Sequence, residues 1–167
     1  MNRPEFVYVT YIATTPEKLW QALTEGAFTE QYWFGTQIES TWVVGAPVNL
    51  LAGGVIHDTG TVLEYAPPGR LSYTWTVQFH EVFRRERASR VTFDLERIGP
   101  EVKLTVTHDD FELGSKVLEA VSNGWPRVIA SLKSLLETGR PLVLSGSEAA
   151  KGARQEAVAR ATANANG

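Results

Sequence analysis

The sequence predicts an α+β protein in which a curved antiparallel sheet wraps around one long C-terminal helix. Three observations lead to this class: a strand and two short helical segments come first, strands separated by turn residues fill the middle, and an amphipathic helical pattern follows. The chain has 167 residues, 43% hydrophobic and 21% charged, which is enough to bury one core. We therefore expect one domain over 1–143 and a disordered or weakly helical tail over 144–167, where large apolar residues are almost absent.

The N-terminal part predicts one strand followed by two short helices. The segment FVYVTYI, at 6–12, is rich in the β-branched and aromatic residues that strands prefer. Thr15 and Pro16 are residue types favoured at the N-cap and first position of a helix, which predicts a helix over PEKLWQALTE at 16–25. A second short helix is expected within TEQYWFG, at 29–35.

The middle of the chain predicts an antiparallel meander that brings the sheet to six or seven strands. Turn residues recur at 45–47, 53–54, 67–69 and 99–100. Strict alternation gives three successive strands one apolar face, because neighbouring side chains in a strand point to opposite sides. The first of these strands is expected to span Arg70–His80, and the face consists of Leu71, Tyr73, Trp75, Val77, Phe79, Val91, Phe93, Leu95, Val102, Leu104, Val106 and His108.

A long amphipathic helix over 115–138 is the predicted cover for this face. Large apolar residues recur there at spacings of three and four, and Gly139 and Pro141 end the pattern. The apolar positions are Val117, Leu118, Val121, Trp125, Val128, Ile129, Leu132, Leu135 and Leu136.

Composition argues against several functional classes. The formal net charge of −3 disfavours a nucleic-acid binder that works by neutralising phosphates. Neither a long apolar run nor a signal peptide is recognisable, so we expect a cytoplasmic protein without a membrane span. Cysteine is absent, and His57, His80 and His108 lack metal-ligand spacing, so no metal or cofactor is expected.

Several segments, taken together and in order, resemble one known family. They are TTPEKLWQALTEG, QYWFG, GTVLEYAPPGRLSYTW, SRVTFDLE, KLTVTHDDF and NGWPRVIASLKSLLETGRP. They are similar to the activator of heat shock protein 90 ATPase-like (AHSA-type) family, which has bacterial members and belongs to the SRPBCC, or START-like, superfamily. The resemblance implies a helix-grip (Bet v-like) fold with a cavity between sheet and long helix. Relatives in the wider superfamily bind lipids, sterols, polyketides or plant hormones there, and some catalyse cyclisation or dehydration.

The implied cavity directs attention to one group of residues. We expect them to face or gate a site for a small hydrophobic molecule: Trp33, Tyr73, Trp75, Phe79, Phe93, His108, Trp125 and Ile129. Any one buried aromatic is more often ordinary core, but the group as a whole favours a cavity with a few polar handles. His108 has two interpretations: inward and able to act as acid or base, or, the favoured one, hydrogen-bonded or half exposed at a strand end. His57 and Asp58 are interpreted as strand or turn surface.

The expected function is therefore binding of a small hydrophobic or amphipathic molecule, with no catalysis assigned. One alternative is an enzyme of the polyketide cyclase or dehydrase kind, using His108 or Tyr73 as acid or base. Another is a co-chaperone-like module that contacts a heat shock protein ATPase. The eukaryotic co-chaperone has a further N-terminal domain for which we expect no room in 167 residues, and this disfavours the interpretation. A homodimer is compatible with the sequence, because an edge strand at 6–12 and Trp42 need cover.

Overall fold

The fold is a seven-stranded antiparallel sheet curved around a long helix, as the sequence predicts. A computed structural model describes residues 3–144. The order of strands across the sheet is β1-β7-β6-β5-β4-β3-β2. In chain order the elements are β1 (Phe6–Ile12), α1 (Pro16–Thr24), α2 (Gly26–Tyr32), β2 (Gln37–Glu39), β3 (Pro47–Ala52), β4 (Val55–Ala66), β5 (Arg70–Val77), α3 (Glu81–Arg84), β6 (Ser89–Ile98), β7 (Glu101–Asp109) and α4 (Lys116–Thr138). The expected tail lies outside the described residues except for residue 144.

The core fills the space between the concave face of the sheet and α4. Strand β7 alternates throughout between buried and partly exposed residues, as the period of two requires. Phe93 of β6 and Leu132 of α4 are at most 1% exposed. Burying an aliphatic or aromatic side chain of this size contributes about 1.5–3 kcal/mol, so this layer is the main source of stability.

The two N-terminal helices follow each other without a linker. Thr15 caps α1 by accepting a hydrogen bond from the backbone N–H of Lys18, at 3.2 Å, as the sequence predicts. Helix α2 begins at Gly26, three residues before the predicted start, because Glu25 serves both as the C-cap of α1 and as the N-cap of α2. Trp33 is the C-cap of α2, which fixes where its indole enters the core.

Strand β5 ends at Val77, three residues before the predicted end at His80. The chain instead forms the short helix α3, where a loop was expected. The His80 side chain caps it by accepting from the backbone N–H of Val82 at 3.3 Å, and Glu81 pairs with Arg85 at 2.6 Å. Phe79, predicted to point inward from a continuing strand, is therefore 49% exposed at the edge of the core.

A bulge in β4 overturns the surface interpretation of His57 and Asp58. Leu50 of β3 pairs with Asp58, whereas the next residue, Leu51, pairs with Ile56, so His57 is an extra residue in the ladder. A bulge directs two consecutive side chains away from strict alternation. As a result His57 and Asp58 are both buried, at 5% and 6% exposure.

Candidate functional site

A pocket of about 160 Å³ opens between the N-terminal half of α4 and the sheet. Its floor consists of buried residues of α2, β4, β5 and α4: Trp33, Asp58, Trp75, Val77, Val117, Trp125 and Val128. Its rim consists of partly or fully exposed residues: Phe34, Phe79, Phe83, Ala120, Val121 and Gly124. A cavity of about 150 Å³ accepts a benzene molecule, so this pocket has room for one ring-sized group.

Three tryptophans form the aromatic part of the floor. Ring centroids lie 5.9 Å apart for Trp33 and Trp75, 5.3 Å for Trp33 and Trp125, and 5.7 Å for Trp75 and Trp125. These separations are within the range at which aromatic rings attract one another, so the cluster is mutually supported. Each indole comes from a different element, and the floor therefore depends on the docking of α4 onto the sheet.

His108 holds Trp125 in place from behind the floor. The indole N–H of Trp125 donates to His108 Nδ1 at 3.0 Å, and His108 Nε2 lies 2.8 Å from Ser89 Oγ. Because Nδ1 accepts, the ring hydrogen must be on Nε2 and the imidazole is neutral. Burial lowers the pKa of His108 to about 3, although the nearby Asp109 carboxylate acts in the opposite direction. The imidazole is thus a fixed hydrogen-bonding partner at neutral pH.

Strict alternation places His108 correctly. The side chain points inward and is 0% exposed, so the half-exposed placement at a strand end is wrong. The same interpretation also allowed a hydrogen-bonded His108, and that part is correct. His108 does not line the pocket.

Asp58 is the single charged residue in the pocket lining formed by the described part of the chain. Its Oδ2 accepts from His57 Nδ1 at 2.7 Å, while His57 Nε2 lies 3.4 Å from the hydroxyl of Thr36. Its Oδ1 is buried and has no hydrogen-bond partner among residues 3–144. A buried polar atom without a partner costs about 1–3 kcal/mol, so an unpaired carboxylate oxygen in an apolar pocket calls for an explanation.

Two further buried polar atoms lack a partner within the same residues, Trp75 Nε1 and the Tyr73 hydroxyl. Trp75 lies in the floor, whereas Tyr73 is packed behind it. Burial raises the pKa of the Tyr73 hydroxyl far above its ordinary value, and the Asp58 carboxylate adds to this shift. Tyr73 is therefore a neutral phenol throughout the physiological range.

The structure divides the eight predicted site residues into two groups. Trp33, Trp75, Phe79 and Trp125 line the pocket. Tyr73, Phe93, His108 and Ile129 lie in the core behind it, each at most 1% exposed.

The predicted site set included Trp125 of α4 but missed Asp58, Val77, the rim residues Phe34 and Phe83, and the other α4 residues of the lining. Val117, Val121 and Val128 of α4 fall on one stripe of the helix and reach the pocket together. Their spacing was a usable signal. The bulge that buries Asp58, by contrast, has no recognisable signal in the sequence.

Residues 3–144 contain neither a cluster of metal ligands nor a membrane-spanning helix. No group of three His, Asp or Glu side chains lies close enough to hold a metal ion. No helix in that range is both long and apolar enough to cross a bilayer.

Comparison with known protein families identifies the relationship. The sequence profile described as activator of Hsp90 ATPase homolog 1-like protein matches residues 13–137, most of the chain. The chain belongs to this family. The matched range extends from the residue after β1 almost to the end of α4, so this activator-like region contains every residue of the pocket. Comparison with curated proteins finds no match.

Solved structures share the helix-grip fold with this member of the family. Protein MLL2253 from Mesorhizobium loti is 27% identical, with a TM-score of 0.69 over 80% of this chain and 96% of that one. The Aha1 dimer from Colwellia psychrerythraea is 21% identical, with a TM-score of 0.67 over 81% and 98%. PFC0360w from Plasmodium falciparum, described as an HSP90 activator, is 21% identical, with a TM-score of 0.67 over 79% and 95%. At 21% identity the last two comparisons show a common fold.

Proposed function

We propose that the protein binds a small hydrophobic or amphipathic molecule in the pocket between α4 and the sheet. The observation that carries the proposal is a pocket with three indoles in its floor and one buried carboxylate whose Oδ1 lacks a partner among residues 3–144. Apolar walls with a few placed polar groups are typical of small-molecule sites. In a solidly packed core, by contrast, buried polar atoms find partners.

The size of the pocket sets what part of a ligand is buried. About 160 Å³ takes a single ring or a short branched chain, and a longer molecule would extend over Phe79 and Phe83 at the rim. Each CH₂ group removed from water contributes about 0.8 kcal/mol, so a six-carbon body provides several kcal/mol before the costs of association. A ligand that stays bound through purification therefore needs further contacts, from a part that extends over the rim or reaches Asp58.

Native mass spectrometry of protein purified from its own host tests the proposal. We expect a discrete added mass that is lost on denaturation. Trp75→Ala should remove this mass, because it deletes an indole of the floor that contacts both Trp33 and Trp125. Thr76→Ala, on the opposite face of β5, should retain it. Equal retention in the two variants would contradict the placement of the ligand.

A second variant separates occupation of the pocket from damage to the core. Ala120 is exposed on α4 yet lines the pocket, so Ala120→Trp should fill it from the rim without disturbing the floor. We expect loss of the bound mass with a thermal midpoint within a few degrees of the wild-type value. Asn123→Trp, also exposed on α4 but outside the lining, is the matched control and should keep the mass.

A protein-interaction role is the second candidate. The family description and the HSP90 activator from Plasmodium falciparum support it by analogy. Val7, Val9 and Tyr11 form a stripe on the edge strand β1 with 45–50% exposure, which would suit either a chaperone or a second copy of this chain. Capture of a chaperone that is lost in Val9→Asp but kept in Trp75→Ala would favour this role.

An enzyme of the cyclase or dehydrase kind has weaker support. The two residues considered for acid–base chemistry, His108 and Tyr73, lie behind the floor. Their pKa values are displaced away from neutrality, lowered for His108 and raised for Tyr73, in both cases by burial. Efficient general acids and bases have pKa values near the working pH.

A further inference from the structure

We propose that the pocket selects molecules carrying a protonated amine, with the ammonium group held between the Asp58 carboxylate and the indole rings of Trp33 and Trp75. The inference rests on the proposed binding function and specifies the chemical class of ligand. The supporting observation is a buried carboxylate among the tryptophans of the floor, with one oxygen hydrogen-bonded to His57 and the other without a partner among residues 3–144.

The carboxylate supplies the first part of the argument. The side chain of Asp58 is 9% exposed, and His57 donates to only one of its oxygens. The other oxygen is buried without a partner among residues 3–144, although a carboxylate accepts several hydrogen bonds. An ammonium N–H would satisfy this atom and add charge assistance, which makes such bonds shorter and stronger than neutral ones.

The aromatic floor supplies the second part. Tryptophan is the best of the aromatic residues at attracting a cation to its ring face. Trp33, Trp75 and Trp125 lie with their centroids within 6 Å of one another, so a small group in the pocket would contact more than one indole. A contact of this kind occurs beside the pocket, where the guanidinium of Arg127, outside the lining, lies over the ring of the rim residue Phe34 at 5.6 Å from its centroid.

The remaining lining favours a cation over other head groups. No Lys or Arg belongs to the pocket lining formed by residues 3–144, so an anionic head group would meet Asp58 without a compensating charge there. A neutral hydroxyl could donate to Asp58 Oδ1 and accept from Trp75 Nε1, but would lack both the ionic and the ring attraction, and an ionised partner makes the stronger hydrogen bond. The order of affinity expected for one apolar body is therefore ammonium, then hydroxyl, then carboxylate.

Three probes with the same ring test this order: benzylamine, benzyl alcohol and benzoate at neutral pH. Their size suits a pocket of about 160 Å³, and quenching of tryptophan fluorescence reports binding because three of the five tryptophans form the floor. We expect benzylamine to bind about tenfold more tightly than benzyl alcohol, and benzoate to bind most weakly. In Asp58→Asn, which keeps the shape, most of the preference for the amine over the alcohol should be lost, leaving only the part that the indole rings supply. Glu96→Gln removes an exposed charge outside the pocket and should leave the preference intact.

The outcomes separate the amine preference from the binding function. Equal binding of amine and alcohol to the wild-type protein would overturn the amine preference and leave the pocket a hydrophobic site. Binding of none of the probes up to their solubility would overturn both. An amine preference that is undiminished in a folded Asp58→Asn variant would exclude Asp58 as its cause, and with it the proposal. The wild-type series alone decides the preference if Asp58→Asn does not fold.

Discussion

Replacing Gly60 with alanine should lower the free energy of unfolding by about 3 kcal/mol or more. A Cβ atom at this position in β4 would lie 1.7 Å from the backbone oxygen of Thr74 and 2.7 Å from its carbonyl carbon. Beside Gly60, the N–H of Thr61 donates to the Thr74 hydroxyl at 2.9 Å, so the two strands are also joined at this point. Backbone atoms of a central strand cannot move aside as a side chain would, so β4 and β5 would have to separate. Urea denaturation monitored by circular dichroism measures the loss.

Gly124→Ala is the matched control, since it makes the same chemical change in the opposite context. A Cβ atom there meets nothing within 4 Å, and the residue lies inside α4. Alanine is a better helix former than glycine by about 0.5–1 kcal/mol, so this variant should be slightly more stable than the wild type. A Gly60→Ala protein as stable as Gly124→Ala would show that the approach of β4 to β5 is wrongly described.

Acidification should destabilise the protein through His108, by as much as about 5 kcal/mol. Burial lowers the pKa of this imidazole from 6.5 to about 3 in the folded state. Between these two values the unfolded chain binds a proton that the folded chain does not. The free energy of unfolding is therefore unaffected by this proton above about pH 6.5. It falls by about 1.4 kcal/mol per pH unit as the pH drops from 6.5 towards 3. Denaturation midpoints measured at several pH values across this window follow the loss.

His108→Gln assigns this slope to one residue, because carboxylates also contribute to acid unfolding. A glutamine amide offers one acceptor and one donor, which can replace the bonds to Trp125 and Ser89. We expect the variant to lose less stability between neutral pH and pH 4 than the wild type. His80→Gln, at an exposed position, should keep the wild-type slope. The same slope in all three proteins would mean that His108 is not buried as described.

The sheet and its covering helix could be predicted because both depend on short-range periodicity. Alternation in 91–95 and 102–108 and the spacing of three and four in α4 are properties of neighbouring residues, whatever the rest of the chain does. His108 shows the strength of this argument, since alternation alone directs it inward. Trp75 and Trp125 of the aromatic floor follow from faces of the same kind, on β5 and α4, whereas Trp33 is the C-cap of α2 and lies on neither.

Asp58 and the rim could not be predicted because they depend on breaks in that periodicity. One additional residue in β4, at His57, leads to burial of the Asp58 carboxylate. The sequence pattern alone gives this residue as surface. The capping of α3 by His80 ends β5 early and moves Phe79 from the core to the rim. Which aromatics face open space and which are packed behind them also depends on side-chain distances, and these are absent from a one-dimensional pattern.

The division of the pocket into floor and rim has an evolutionary consequence. The floor is shared with the core, so under the proposed function a substitution at Trp75 or Trp125 would change folding and ligand recognition together. Phe79, Ala120 and Val121 of the rim are exposed or partly exposed, and their replacement costs the fold little. If the pocket binds ligands as proposed, substitutions at the rim alone would change which ligand fits while the fold is inherited unchanged. A library randomised at these three positions would explore the same variation in the laboratory.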